Sequence, residues 1–347
     1  MATTYKTFLN NDVTTTRTLL HEAIPITGSI VSGTYADANI KTFTAGLWEA
    51  VYDYPYLSSS ANHIFDITCG YSSNSGLSAS AVTEGVDPQD IKNKINMYNE
   101  MAKVLVGHDV TGAIQPFDQD GDISAGGTKL KEIYVLNFAR LLVKDEIKRG
   151  SFSLVIGSGS GYGAVFASHI TASDHNASND FRVNSPAGEY GILYTSSATP
   201  NTNSGVGLLY YQGGVAILTA SIFGFNLEMN SDGISAEDML TGSSITANAD
   251  ALRHRFVNLE FNNTTELNST IYFCRVNHNE FNYSSNPTYL SSSQIIVKQQ
   301  TTDAPVAFMT SVGLYSADNE LLAVAKLSEP LKKDPNNELI LRVRLDY

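Results

Sequence analysis

A chain of 347 residues is long enough for two or perhaps three domains, each burying its own core. Charged residues make up only 16% of it, against about a quarter in an average globular protein, and Ser, Thr, Asn and Gly take their place. Asp plus Glu outnumber Lys plus Arg by 35 to 22, a net charge of −13, which argues against a nucleic-acid grip built on a basic face. A polar but weakly charged surface suits a subunit of a large assembly, and equally a secreted β-protein.

Two cysteines, Cys69 and Cys274, are too few for a disulfide framework, and no C-x-x-C pair offers a zinc site. They are expected as unpaired thiols in a reducing cytoplasm. The N-terminal residues show no charged segment followed by an apolar run, so no secretory signal is expected. No stretch approaches the roughly 20 apolar residues of a membrane span.

Residues 1–86 read as a mixed, turn-rich region. "TTTRTLLHEAIP" reads as a short helix stopped by Pro25, and Leu47–Gly76 is aromatic and β-inclined, with tyrosines at Tyr52, Tyr54 and Tyr56. Residues 87–150 read as a helical segment. Asp87 is the N-cap, Pro88 the first helical residue, and Ile91, Ile95, Tyr98, Ala102 and Leu105 fall on one helix face before a stop at Gly107. A second helix is expected over "KLKEIYVLNFARLLVKDEIKRG", Lys129 to Gly150. Residues 151–347 read as a mainly antiparallel β region, interrupted by short helices near 235–240 and 247–256. Within it, Arg255–Tyr283 reads as two strands around a polar turn at "NNTTELN", and a hairpin turns at "SADNE". The chain ends in a half-buried strand, with Leu339, Leu341, Val343 and Leu345 on one side and Ile340, Arg342, Arg344 and Asp346 on the other. Such a strand must pair with something. The expected class is therefore α+β and β-rich, with two helices in the first half.

Four glycines at alternate positions, Gly157, Gly159, Gly161 and Gly163, follow the apolar run Phe152–Ile156, and "GSGYGA" matches a dinucleotide-binding fingerprint. Its context fails: "AVFASHI" is too short and β-inclined for the helix that holds a pyrophosphate, and Asp174 and Asp180 lie in a polar loop. The glycines read as a turn or bulge between two strands, where φ > 0 or close backbone approach is needed. Asp118, Asp120 and Asp122 alternate as in a calcium loop, but an EF-hand starting at Asp118 wants Gly where Ile123 stands and Glu where Lys129 stands. Whether this loop binds calcium stays open beside a solvated acidic turn. His108-Asp109 and Asp174-His175 are neighbours in sequence, which is no evidence of a catalytic pair. Cys274 and His278 lack a second ligand pair. No catalytic, cofactor-binding or metal residue is nominated.

Three blocks together resemble virion structural proteins of contractile-tailed bacteriophages, particularly those infecting cyanobacteria and other marine bacteria. They are "YDYPYLSSSANHIFDIT", the pair "KINMYNEMAKVLVGHD" and "FARLLVKDEIKRGSFSL", and the tail "SVGLYSADNELLAVAKLSEPLKKDPNNELILRVRLDY". The resemblance implies a non-enzymatic tail subunit, of the baseplate or its wedges, present in many copies and assembled in the host cytoplasm. Its partners would be other tail proteins, with neither nucleic acid nor membrane. The residues expected at interfaces are Tyr52, Tyr54, Tyr56, Leu341, Val343, Leu345 and Tyr347. The alternatives are a peripheral receptor- or carbohydrate-binding tail module and a neck or collar component.

Overall fold

The computed structural model describes residues 5–26, 37–78, 87–123, 126–195, 204–224, 227–284, 290–291, 294–295, 300, 302 and 305–347. The helices with described bounds are α1 (Pro88–Leu105), α2 (Arg140–Val143), α3 (Ala236–Gly242) and α4 (Ile245–His254). The first strands are β1 (Val13–Ile26), β2 (Ile40–Thr42), β3 (Glu49–Tyr52), β4 (His63–Tyr71), β5 (Phe117–Asp118), β6 (Lys129–Leu130) and β7 (Glu132–Phe138). Then come β8 (Glu146–Ile147), β9 (Ser153–Gly157), β10 (His169–Ser173), β11 (Phe181–Ser185), β12 (Gly188–Thr195), β13 (Gly205–Tyr210) and β14 (Val215–Thr219). The last are β15 (Phe256–Val276), β16 (Leu290–Ser291), β17 (Gln294–Ile295), β18 (Ala307–Tyr315), β19 (Leu321–Lys333) and β20 (Leu339–Asp346). The chain divides into two compact units, Leu20–Thr265 and Met1–Leu19 with Glu266–Tyr347.

The first unit is a large antiparallel sheet. From the first half of β15 the order runs β9, β10, β12, β13, β14, β7, β4, β3 and β2, and the short β2 forms the far edge. Both faces of its centre are buried. Ile133 and Val135 of β7 join Val215 and Ile217 of β14 against Tyr98, Ala102 and Leu105 of α1. The alternate residues Tyr134, Leu136, Phe138, Ala216 and Leu218 join the core that takes Met239 and Leu240 of α3 and Leu252 of α4. This explains the failure of the expected second helix over Lys129–Gly150. That segment forms β6, β7, the single turn α2 and β8. A strand buried on both sides shows an unbroken apolar run, and periodicity alone does not separate such a run from a buried helix. Helices accordingly lie mostly mid-chain, and the helical segment expected over 87–150 holds one long helix.

α1 forms as its sequence dictates. The Asp87 carboxylate accepts from Gln89 N at 2.8 Å, capping the start. Ile91, Tyr98, Ala102 and Leu105 are buried, and Gly107, at φ +94°, ends the helix with its N–H on Ala102 O. Lys94 occupies one of the buried positions, its Nζ donating to Leu240 O at 2.7 Å.

Two further expectations are corrected. The segment Thr14–Pro25 is strand β1, with every residue from Val13 to Ala23 exposed. Its Thr-rich, β-branched start favours extension, and Pro25 is its next-to-last residue, near a strand end where proline is tolerated. The polar stretch inside Arg255–Tyr283 does not turn. β15 runs unbroken through Asn263 and Thr264, both buried, because β8 pairs with them and the Asn263 side chain donates to Leu142 O at 2.8 Å.

In the second unit, β20 pairs antiparallel with β15 from Ser269↔Asp346 to Val276↔Leu339. β18 and β19 form the expected antiparallel hairpin, and most of its side chains are exposed or half-buried.

Candidate functional site: strand edge, tyrosine loop and acidic loop

The C-terminal strand has two chemically different sides. Tyr347 N donates to Asn268 O and Asn268 N to Tyr347 O, so these residues form a hydrogen-bonded pair. In an antiparallel ladder such pairs alternate with non-bonded ones. From the register, Leu339, Leu341, Val343 and Leu345 therefore direct their backbone groups to β15. Ile340, Arg342, Arg344 and Asp346 direct theirs outward. Among the described residues no strand pairs with that outer edge. The side chains follow the expected alternation: Val343 is buried, Leu341 and Leu345 are half-buried, and Ile340, Arg342, Arg344 and Tyr347 are exposed.

The tyrosines belong to the other unit: Tyr52 ends β3, and Tyr54 and Tyr56 lie in the connection to β4. Tyr52 packs near Tyr56 (ring centroids 6.3 Å) and near His63 (5.5 Å). Tyr54 and Tyr56 are exposed, as is Leu57 beside them. The turn is fixed from within. The Asp53 carboxylate accepts from Asn62 N at 2.6 Å and Asn62 Nδ2 at 2.8 Å, and Tyr56 N donates to Ala38 O at 3.0 Å. Three aromatic or aliphatic side chains thus stand on a preset backbone, which lowers the ordering cost of a contact.

The glycine loop joins β9 to β10, two antiparallel partners, so no βαβ unit surrounds it. None of its four glycines has φ > 0. Gly157 and Gly159 are required by close approach instead. A Cβ on Gly157 would stand 2.4 Å from Val165 O, and one on Gly159 1.7 Å from Ala164 O. Arg255, which is fully buried, draws the loop in. Its Nη1 donates to Gly157 O at 3.1 Å and Gly159 O at 3.2 Å, and its Nη2 donates to Glu228 O. The loop's carbonyls are turned to a cation from the protein itself, the reverse of a cradle of N–H groups for phosphate.

The sequence neighbours Asp-His resolve into separate tasks. Asp109 accepts from Thr111 Oγ1, Thr111 N and Ala113 N, which holds its carboxyl below the usual carboxylate range. Asp174 is fully buried and accepts from Gly150 N (2.7 Å), Phe152 N (2.9 Å) and Tyr211 Oη (3.1 Å), while His175 faces Ser173 Oγ. Burial raises the Asp174 carboxyl despite those donors. Cys69 and Cys274 are both free thiols, and burial pushes Cys69 up to about 12.

Asp118, Asp120 and Asp122 come together, each offering a carboxylate oxygen within 4.8 Å of the others. Asp118 is 2% exposed, and burial raises its carboxyl above the ordinary value. A cleft of about 680 Å³ opens in the unit of β18–β20, walled by Tyr5, Phe8, Phe308 and Tyr315 with Asp12 and Arg275. The guanidinium behind the glycines and this cleft had no sequence signature, because each depends on residues far apart in the chain, and which edge of the C-terminal strand stays open likewise depends on its distant partner β15. Comparison of the chain with family models, with curated proteins and with solved structures finds no match.

Proposed function

We propose that the chain is a non-enzymatic structural subunit of a contractile-tailed phage virion, in the tail baseplate or its wedges. It joins neighbouring tail proteins by adding a strand to the outer edge of β20, with Tyr54 and Tyr56 as a second contact. The observation that carries this reading is the outer edge of β20, where the backbone groups of Ile340, Arg342, Arg344 and Asp346 face away from β15. An unpaired edge of this length is a template for another strand, and proteins that stay monomeric cover or blunt it. Main-chain pairing would give affinity, while the exposed arginines would set register against an acidic partner strand.

Deleting residues 338–347 is an ambiguous test, since it also strips β20 from β15. Arg342→Pro is cleaner. The Arg342 N–H points outward, so proline removes an edge donor and leaves the β15 ladder whole. The variant is expected to keep the circular dichroism and melting temperature of the parent and to fall at least about tenfold in incorporation into particles. Normal incorporation of a folded Arg342→Pro chain would sink the edge-pairing reading. The aromatic cleft favours a second reading, a peripheral carbohydrate-binding tail module, because aromatic faces beside charged groups suit sugar rings. Glycan-array binding that is lost on Tyr315→Ala, with incorporation unaffected, would favour that reading over the first.

A further inference from the structure

We propose that the loop Asp118–Asp122 binds a hard divalent cation, with Ca²⁺ as the best fit, through carboxylate oxygens of Asp118, Asp120 and Asp122. Three such oxygens within 4.8 Å of one another can share one ion, because Ca²⁺–oxygen distances are about 2.3–2.6 Å. An acidic cluster alone would not carry this. The second observation is the orphaned oxygen of Asp118. Its Oδ2 accepts from Lys129 Nζ at 2.7 Å, but its Oδ1 is buried and has no hydrogen-bond donor among the described residues. A buried carboxylate oxygen without a donor is costly, and Asp120 and Asp122 each bring a carboxylate oxygen within 4.8 Å of one oxygen of the Asp118 carboxylate. Around the loop, the carboxylates of Asp118, Asp120, Asp122 and Asp180 against Lys129 and Arg182 leave two negative charges, which a divalent ion cancels.

The loop is held from outside the cluster. Arg182 Nη2 donates to Asp120 O at 3.0 Å, Asn184 Nδ2 to Gly121 O at 2.9 Å, and Tyr190 Oη to Gly121 O at 3.1 Å. These bonds hold the loop through its backbone carbonyls, and within the loop the Asp120 carboxylate accepts from Asp122 N at 3.2 Å. The site departs from the EF-hand at the two positions that failed in sequence. Ile123 takes φ +56°, the left-handed backbone that glycine gives an EF-hand at that step. Lys129 occupies Asp118 Oδ2 where an EF-hand carries its bidentate Glu. With Lys129 competing for Asp118 and few protein ligands, the expected affinity is weak, with a dissociation constant on the order of 10⁻⁴–10⁻³ M.

The test uses the full chain and two substitutions of opposite sign. Tb³⁺ luminescence excited through tyrosine, with Tyr190 in contact with the loop, reports occupancy, and Ca²⁺ competition gives its affinity. Melting with Ca²⁺ against chelator is the second readout. Saturable Ca²⁺ binding is expected, weakened about tenfold or more in Asp122→Asn and strengthened in Lys129→Gln. No saturable binding up to about 10 mM Ca²⁺, ten times the weak end of that range, overturns the site, as does binding that Asp122→Asn leaves unchanged, the signature of diffuse attraction to an acidic surface. Stabilisation by acid in place of Ca²⁺ also overturns it, since it would mean that a shared proton relieves the cluster.

Discussion

Replacing Gly159 by alanine isolates what the glycine loop is for. The new Cβ would stand 1.7 Å from Ala164 O and 2.7 Å from Ala164 C, both backbone atoms, so no rotamer relieves the overlap and the loop must open. Opening breaks the bond from Gly159 N to Val165 O (3.0 Å) and the bond from Arg255 Nη1 to Gly159 O (3.2 Å). The first contributes about 1 kcal/mol net and the second, to a charged donor, about 1.5–3 kcal/mol. The Arg255 guanidinium is buried and its Nε already lacks a partner, so a further vacancy adds about 1 kcal/mol or more. A loss of about 4 kcal/mol follows. For a unit of this size that is a fall of about 10 °C in melting temperature. Gly163 is the internal control. It lies in the one-turn helix Tyr162–Ala164, and a Cβ added there would have no atom within 4 Å, so Gly163→Ala should be neutral within about 0.5 kcal/mol or slightly stabilising. Differential scanning calorimetry of the two variants decides. Equal melting of Gly159→Ala and the parent, or equal loss in both variants, would refute the close-approach account. Micromolar NAD binding lost only in Gly159→Ala would restore the nucleotide reading.

Two further outcomes test the buried polar groups. Lys94 is fully buried, and desolvation lowers its pKa below 10.5. Between the folded value and 10.5 the unfolded chain binds the extra proton, so stability rises with pH across that window, and Lys94→Met should remove this slope in urea titrations. An unchanged slope would show that the ammonium is not desolvated as described. Asp174→Ala strands the donors of Gly150, Phe152 and Tyr211 and should cost about 3 kcal/mol or more by chemical denaturation, whereas Asp174→Asn, which keeps an acceptor, should cost less than half of that. Equal losses in the two would mean that packing, and not hydrogen bonding, makes the residue necessary.

The sequence by itself determined the elements whose two sides meet different solvents. α1 was legible because its apolar face is buried and its other face wet, with Asp87 and Gly107 marking its ends. β20 was legible for the same reason, through its alternating leucines and arginines, and so was the hairpin turning at Ser316–Glu320. Where both sides of an element are buried, or where polar residues find distant partners, local pattern does not separate one structure from another. The middle of β7, Ile133–Leu136, is sandwiched between α1 and the α3–α4 core, so these four residues in a row are apolar and the strand period vanished. The polar middle of β15 looked like a turn because β8 and Leu142, which satisfy it, lie more than a hundred residues earlier. The glycines showed that something must come close, but only the fold identified it as the backbone of Ala164 and Val165, drawn in by Arg255. The same holds for the acidic loop. Its spacing was visible in the sequence, whereas the burial that leaves one oxygen of Asp118 without a donor is a property of tertiary packing alone, since desolvation depends on everything that excludes water from the site.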